Sequence, residues 1–200
     1  MLDPNNAKTE YISETFIDQQ LADERLEYIE FDSCVFKECD FSGTLFDHCK
    51  FIECEFIRCN LSVMRLNASR FMDVEFRESK VIGVDWTVAA WSNLKLSAPV
   101  SFHQCVLNDS SFFGLYMTEM NLEECKANDV DFREGDFSDA NFNGADLANS
   151  LFDGANLNGA NFENAENYYI DVNNTTIKKA TFSRLEAVSL LESLDIVLVD

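Results

Sequence analysis

Seven cysteines and two histidines carry the most reactive side chains of this 200-residue chain. Cys34, Cys39, Cys49, Cys54 and Cys59 stand five or ten residues apart, with Cys105 and Cys125 further along. Three kinds of chemistry come to mind: a zinc site, a disulfide, or a thiol–imidazole pair of His48 with Cys49. The spacing speaks against the zinc site and the pair. Cys34 lies one coil below Cys54 and Cys39 one below Cys59, near enough for their thiols to be neighbours, and a reducing cytoplasm is what speaks against a disulfide. Zinc takes four convergent ligands, usually supplied as closely spaced pairs, whereas these thiols share one ladder that faces a narrow apolar interior. On an extended chain His48 and Cys49 point to opposite sides, so the imidazole is out of reach as a base. The seven glycines are scattered and form no phosphate-binding loop. The sequence therefore predicts buried thiols, with no catalytic, cofactor-binding or metal-ligating residues. His103 is the second and last histidine.

The elements that position these residues are set by a period of five. Seventeen of the eighteen phenylalanines lie on a five-residue grid. It runs Phe16, Leu21, Leu26, Phe31, Phe36 and onward to Trp86, Trp91 and Leu96, slips by one residue, and resumes from Phe102 to Phe182. Asn167 is the only polar member. Neither a helix nor an alternating strand has this period, so the chain is an internal repeat. Two residues before each grid position sits a smaller group: Cys34, Cys39, Cys54, Val74, Ala140, Ala155 and their equivalents. The residues between are mostly polar.

One large and one small side chain thus point inward in every pentapeptide. Four pentapeptides close a square coil of about twenty residues, and the coils must stack to bury their contents. At roughly 4.8 Å per coil the rod is on the order of 40 Å long. The predicted fold is an all-β solenoid, with inner columns Phe31–Phe51–Phe71–Trp91–Phe112 and Phe16–Phe36–Phe56–Phe76–Leu96–Met117. Trp86 and Trp91 read as oversized core residues that swell the coil. Residues 1–13 read as a cap, 14–97 and 102–183 as two solenoid halves, and 98–101 as a one-residue bulge at Pro99, which has no N–H to give. In residues 184–200, RLEAVSLLESLD reads as a short helix with Leu185, Val188, Leu191 and Leu194 on one side, and Ile196 to Val199 as a terminal strand. An open solenoid end exposes unpaired backbone. The tail therefore reads as a homodimer interface made by Leu185, Val188, Leu191, Leu194, Ile196 and Leu198.

A convex rod offers no cleft, so its carboxylates make no acid–base pair and the protein is expected not to be an enzyme. The apolar runs are too short for a membrane span or a secretory signal; with buried thiols, this predicts a cytoplasmic protein. The formal net charge is −21. Between Glu134 and Asp171 there are eight acids and no base. Such a surface repels phosphate, which excludes direct binding to nucleic acid. The rod is about as wide as a DNA duplex, and a tail-to-tail dimer spans about 25 base pairs at roughly 3.4 Å each. A protein channel shaped for DNA would accept it.

ADLAN (145–149), ANLNG (155–159) and ANFEN (160–164) resemble the consensus of the pentapeptide-repeat family. That resemblance implies a right-handed quadrilateral β-helix. VIGVDWTVAAW (81–91), SFHQCVLNDSSFFGLYM (101–117) and SLLESLDIVLVD (189–200) resemble the albicidin-resistance branch of that family, and the tail also resembles its quinolone-resistance branch. The resemblance implies a C-terminal dimer whose acidic body occupies the DNA-binding region of bacterial DNA gyrase or topoisomerase IV. Asp136, Asp139, Asp146, Asp153, Glu163 and Glu166 are then the expected contacts. The quinolone-protective relatives carry projecting loops, and a one-residue slip leaves no room for one here. Protection against an albicidin-like poison is therefore expected over protection against a quinolone. The alternative expectation is a structural or adaptor solenoid with a different protein partner.

Overall fold

The computed structural model describes residues 9–91, 98–197 and 199. Every inter-strand pairing it contains is parallel, and successive coils are related by a step of twenty residues at all but one turn. Each coil has four sides. Side 1 runs through Glu10–Ile12, Glu30–Asp32, Lys50–Ile52 and Arg70–Met72, then through Tyr116, Asp136, Asn156 and Thr176. Side 2 runs from Thr15–Ile17 through Val35–Lys37, Glu55–Ile57, Val74–Arg77 and Val100–His103 to Leu122–Glu123, continuing through Asn141 and Asn161. Side 3 is made of single bridges at Gln20, Asp40, Asn60, Lys80, Val106, Lys126, Asp146 and Glu166. Side 4 runs from Arg25–Glu27 and Leu45–Asp47 to Arg65, and higher up through Asp85, Ser111, Asp131 and Leu151. The chain is a right-handed β-solenoid of about eight turns with one short C-terminal helical element.

The grid residues fill the interior. Phe16, Phe36, Phe56 and Phe76 stack face to face at 5.1, 4.6 and 5.0 Å between ring centroids. The smaller inward ladder has a second task. Cys34, Cys54 and Cys59 each direct Sγ at the carbonyl of the grid residue one coil below, 3.3–3.4 Å away. Thr44, Ser69, Ser110 and Thr175 do the same with hydroxyls at 2.6–2.9 Å. Cysteine and buried serine or threonine are thus interchangeable here: small groups that satisfy an inner carbonyl.

The corner that turns each side into the next places the residue two beyond the grid position at positive φ: Asp18, Asp23, Glu38, Asp129, Asp139 and many others, with Gly43, Gly83 and Gly144 at equivalent points. Acidic and amide residues tolerate this region better than branched ones.

Four sequence expectations are corrected. The first concerns the slip. Val74 pairs with Val100 and Phe76 with Phe102, so this coil steps by 26 residues and not 20. Phe76 stacks on Phe102 and Trp86 on Phe112, which replaces the inner columns expected through Leu96–Met117 and Trp91–Phe112. The insertion is six residues, falling between Ala90, which still bonds Ser69 in regular register, and Ala98, which bonds Thr118. Six and one leave the same remainder on division by five, so the phase of the grid could not tell them apart. Leu96 lies outside the described residues. Second, Asn167 does not point inward. It sits exposed at positive φ, and Tyr168 and Ile170 are buried instead. Third, Ile196, Val197 and Val199 join no strand. Fourth, at the other end Tyr11 extends the grid by one step and stacks on Phe31 at 5.4 Å, so Glu10–Ile12 already belongs to the first coil and not to a cap.

Val63 is a β-branched residue held at φ 50° with its side chain exposed. Val63→Asn should raise the unfolding free energy by about 1 kcal/mol, measured by chemical denaturation, because the left-handed conformation disfavours the branched Cβ.

Candidate interaction surface

The reactive residues are placed as the ladder implies. All seven cysteines are buried and unpaired. Burial pushes the Cys49 thiol up to about 11 and that of Cys54 up to about 12. Cys59, hydrogen-bonded by Cys39 and buried, is raised further, and burial does the same to Cys125. These four thiols stay protonated and are poor nucleophiles. Cys39 and Cys105 are lowered by their hydrogen bonds with Cys59 and Cys125, Cys39 to about 7, so burial alone keeps those two from reacting. His48 points outward, stacks on Tyr28 at 5.0 Å and lies 2.7 Å from Asp47 through Nδ1. His103 faces Glu123 one coil above, at 3.2 Å. Trp86 is fully buried between Phe71, Phe76, Phe102 and Phe112, while Trp91 is half-buried and donates its Nε1–H to the Trp86 carbonyl at 2.8 Å. Among the described residues no group of three or more His, Cys, Asp or Glu side chains has the arrangement to hold a metal ion. Among them also, no helix is long and apolar enough to cross a membrane.

What remains is the outer surface, and its charge is distributed unevenly along the rod. In the lower coils acids are answered by bases one coil away: Lys50 bonds Glu30 at 2.8 Å, Arg58 bonds Glu38 at 2.8 Å, and Arg25 bonds Asp47 at 2.9 Å. In the upper coils amides take over. Asn156 donates to Asp136, Asn167 to Asp146, and Asn141 and Asn161 continue a ladder from Asn121 at 2.8 and 3.2 Å. Amide ladders satisfy the hydrogen bonds of stacked coils without cancelling any charge. Arg133 is the exception; its guanidinium grips Asp131 with two bonds of 2.9 and 2.7 Å and holds that carboxyl below its ordinary value.

The six expected contact residues do not share a face. Asp136 lies on side 1 and Asp139 at the corner between sides 1 and 2. Glu163 lies on side 2, and Asp146 and Glu166 are stacked on side 3. Asp153 stands on side 4, two residues past Leu151. The structure thus surrounds the upper rod with negative charge and makes no single acidic patch.

At the C-terminal end, Glu186–Leu194 forms a tight helix of 3-10 type that lies over the last coil. Leu190 packs against the core, and Ser193 Oγ accepts from the Val172 N–H at 3.3 Å. Leu185, Val188, Leu191, Leu194 and Ile196 are exposed on the helix and just beyond it. Leu198 lies outside the described residues.

A four-sided parallel solenoid with small groups and stacked rings inside and a polar exterior defines a class of repeat proteins built from five-residue units. A model of the pentapeptide-repeat region matches residues 29–99 and 84–162, and the chain belongs to the pentapeptide-repeat family. A trypsin-treated form of QnrB1, a plasmid-mediated fluoroquinolone resistance protein, superposes with a TM-score of 0.68 at 19% identity, covering 100% of this chain and 96% of that one. Full-length QnrB1 gives 0.54 at 19% identity, covering 94% and 100%. HetL, involved in heterocyst differentiation regulation in the cyanobacterium Nostoc, gives 0.68 at 16% identity over 88% of this chain and 86% of its own. At these identities the likeness establishes the fold alone. No protein of curated function matches the sequence at a significant level.

The burial of the thiols makes a chemical prediction. A thiol-specific reagent should modify none of the seven in the native protein within minutes, and all seven in guanidinium; rapid native labelling of even two would show that the coils open.

Proposed function

We propose that this protein is a DNA mimic that binds bacterial DNA gyrase, or topoisomerase IV, and protects it from a poison such as albicidin. The observation that carries the reading is the run from Glu134 to Asp171, eight acids without a base, spread around the four sides of the upper coils. A saddle that grips DNA touches it from several sides, so a rod charged on all four sides suits it better than one with an acidic stripe. The likeness to QnrB1 in fold over nearly the full length of both chains adds support. The charge lies next to the C-terminal helix. In a dimer joined through Leu185, Val188, Leu191, Leu194, Ile196 and Leu198, the two acidic halves would meet at the centre of one continuous rod, flanked by the better-neutralised N-terminal coils.

The 26-residue coil bears on which poison is opposed. A regular solenoid without insertions argues against protection from quinolones; a six-residue insertion beside Trp91 withdraws that argument. Both drug classes therefore belong in the test. A second reading, an adaptor for a different protein, draws on the equal likeness to HetL.

Supercoiling and DNA-cleavage assays with purified gyrase decide between them. The protein should reduce drug-stabilised cleavage, and replacing Asp136, Asp139, Asp146, Asp153, Glu163 and Glu166 by their amides should weaken this at least about tenfold while preserving the fold, since the field is shared among them. No effect of the intact dimer on cleavage or supercoiling would move the assignment to the adaptor.

The dimer is tested separately. Leu191→Asp, on the exposed side of the helix, should yield a folded monomer by sedimentation velocity, because an ionised carboxylate is too costly to bury in an apolar interface. A dimer undisturbed by this change would place the contact elsewhere.

A further inference from the structure

Sixteen of the eighteen phenylalanines are buried, and Phe182 is half-buried against the core. Phe113 alone stands outside, 46% exposed on side 4, immediately after the inner Phe112. Its position belongs to a column that elsewhere carries Glu27, Asp47, Arg133 and Asp153, so nothing in the repeat calls for an aromatic ring there. The next residue, Gly114, turns the corner at φ +68°, and a Cβ added to it would meet nothing within 4 Å. Equivalent corners carry Tyr28, His48 and Glu134. The step beside the ring is therefore open. Glu134, one coil above, does not cover it, because its carboxylate lies over Gly154 in the opposite direction.

The charge around this ring is specific. Arg133 places its guanidinium carbon 5.7 Å from the ring centroid while both its bonds go to Asp131. The ring thus already receives one cation of the molecule itself, which leaves the side toward Gly114 open. Glu134 and Asp153 follow on the same corner, joined through the Glu134 N–H to the Asp153 carbonyl at 3.0 Å, and no further base occurs before Lys178.

We propose that Phe113, with the open step at Gly114, anchors an arginine or lysine of the protein partner, the cation lying over the part of the ring that Arg133 leaves free. The inference rests on the reading that the partner is the basic DNA-gripping region of gyrase, and it names side 4 as the face that gives the contact its geometry. Diffuse negative charge attracts a basic surface but does not orient it. An exposed ring does, since a cation is held over its face only within about 6 Å of the centroid.

The test measures affinity for purified gyrase for the intact protein, Phe113→Leu, Phe113→Trp, Phe113→Ser, and Ile17→Ser as an equally exposed change on side 2. The ring is outward, so all five should share one unfolding midpoint. Phe113→Leu and Phe113→Ser should each weaken binding roughly fivefold, Phe113→Trp should match or exceed the parent, and Ile17→Ser should leave binding unchanged. Loss in Phe113→Ser with full binding in Phe113→Leu would overturn the cation in favour of an apolar contact. Parental binding by both would overturn the anchor itself and leave the gyrase reading standing. No binding by the intact protein would overturn that reading, and this inference with it.

Discussion

The whole exterior of this protein is dictated by the register in which one coil lies on the next. Phenylalanine stacks on phenylalanine at about 5 Å, and the backbone between them is bonded coil to coil in parallel. Strand spacing and ring spacing nearly coincide, so both are satisfied together only in register. A slip by one residue would turn every inner ring outward. Once the register is held, each outward residue is also fixed above its counterpart one coil below. Surface columns are therefore consequences of the core.

That constraint makes like charges close neighbours. Asp146 sits below Glu166 as rigidly as Phe142 sits below Phe162. The lower coils relieve the repulsion with cross-coil pairs such as Lys50–Glu30, whereas the upper coils place asparagine between acids and leave the net charge intact. Exposed pairs contribute little to stability, typically under about 1 kcal/mol each, so their omission costs the fold little. It raises the field around the rod considerably. The difference between the two halves concerns what approaches them more than how they stand.

How much of this was legible in the sequence follows from the same periodicity. The grid reveals which residues face inward, and it did so for Phe16 through Trp86 and from Phe102 through Phe162. It is blind to any insertion counted modulo five, which is why the 26-residue coil read as a one-residue bulge and every inner column above it was displaced by one side. Asn167 shows a second limit. A single polar residue on the grid marked a local departure, but only the structure shows that Tyr168 replaces it. The surface was less legible still. A list of acids carries no face until coil length and register are known, and with them the six expected contact residues are found on all four sides. Phe113 was visible as the one phenylalanine off the grid; its meaning depended on Gly114 being open and Arg133 lying above.

The two ends of the rod make the final contrast. A parallel solenoid cannot close on itself, and each terminal coil offers a row of unbonded groups to any extended chain. At the C-terminal end the chain covers its own last coil: Leu190 goes down onto the core and Ser193 receives the Val172 N–H. A helix of nine residues is too narrow to bury both of its faces against one coil. Covering the coil with Leu190 necessarily lifts Leu185, Val188, Leu191 and Leu194 into solvent. The cap that stops unlimited growth by strand addition thus creates a small apolar face of fixed size. A second copy related by a two-fold axis would satisfy that face once and leave nothing further to add to, which is how a closed dimer differs from a fibre.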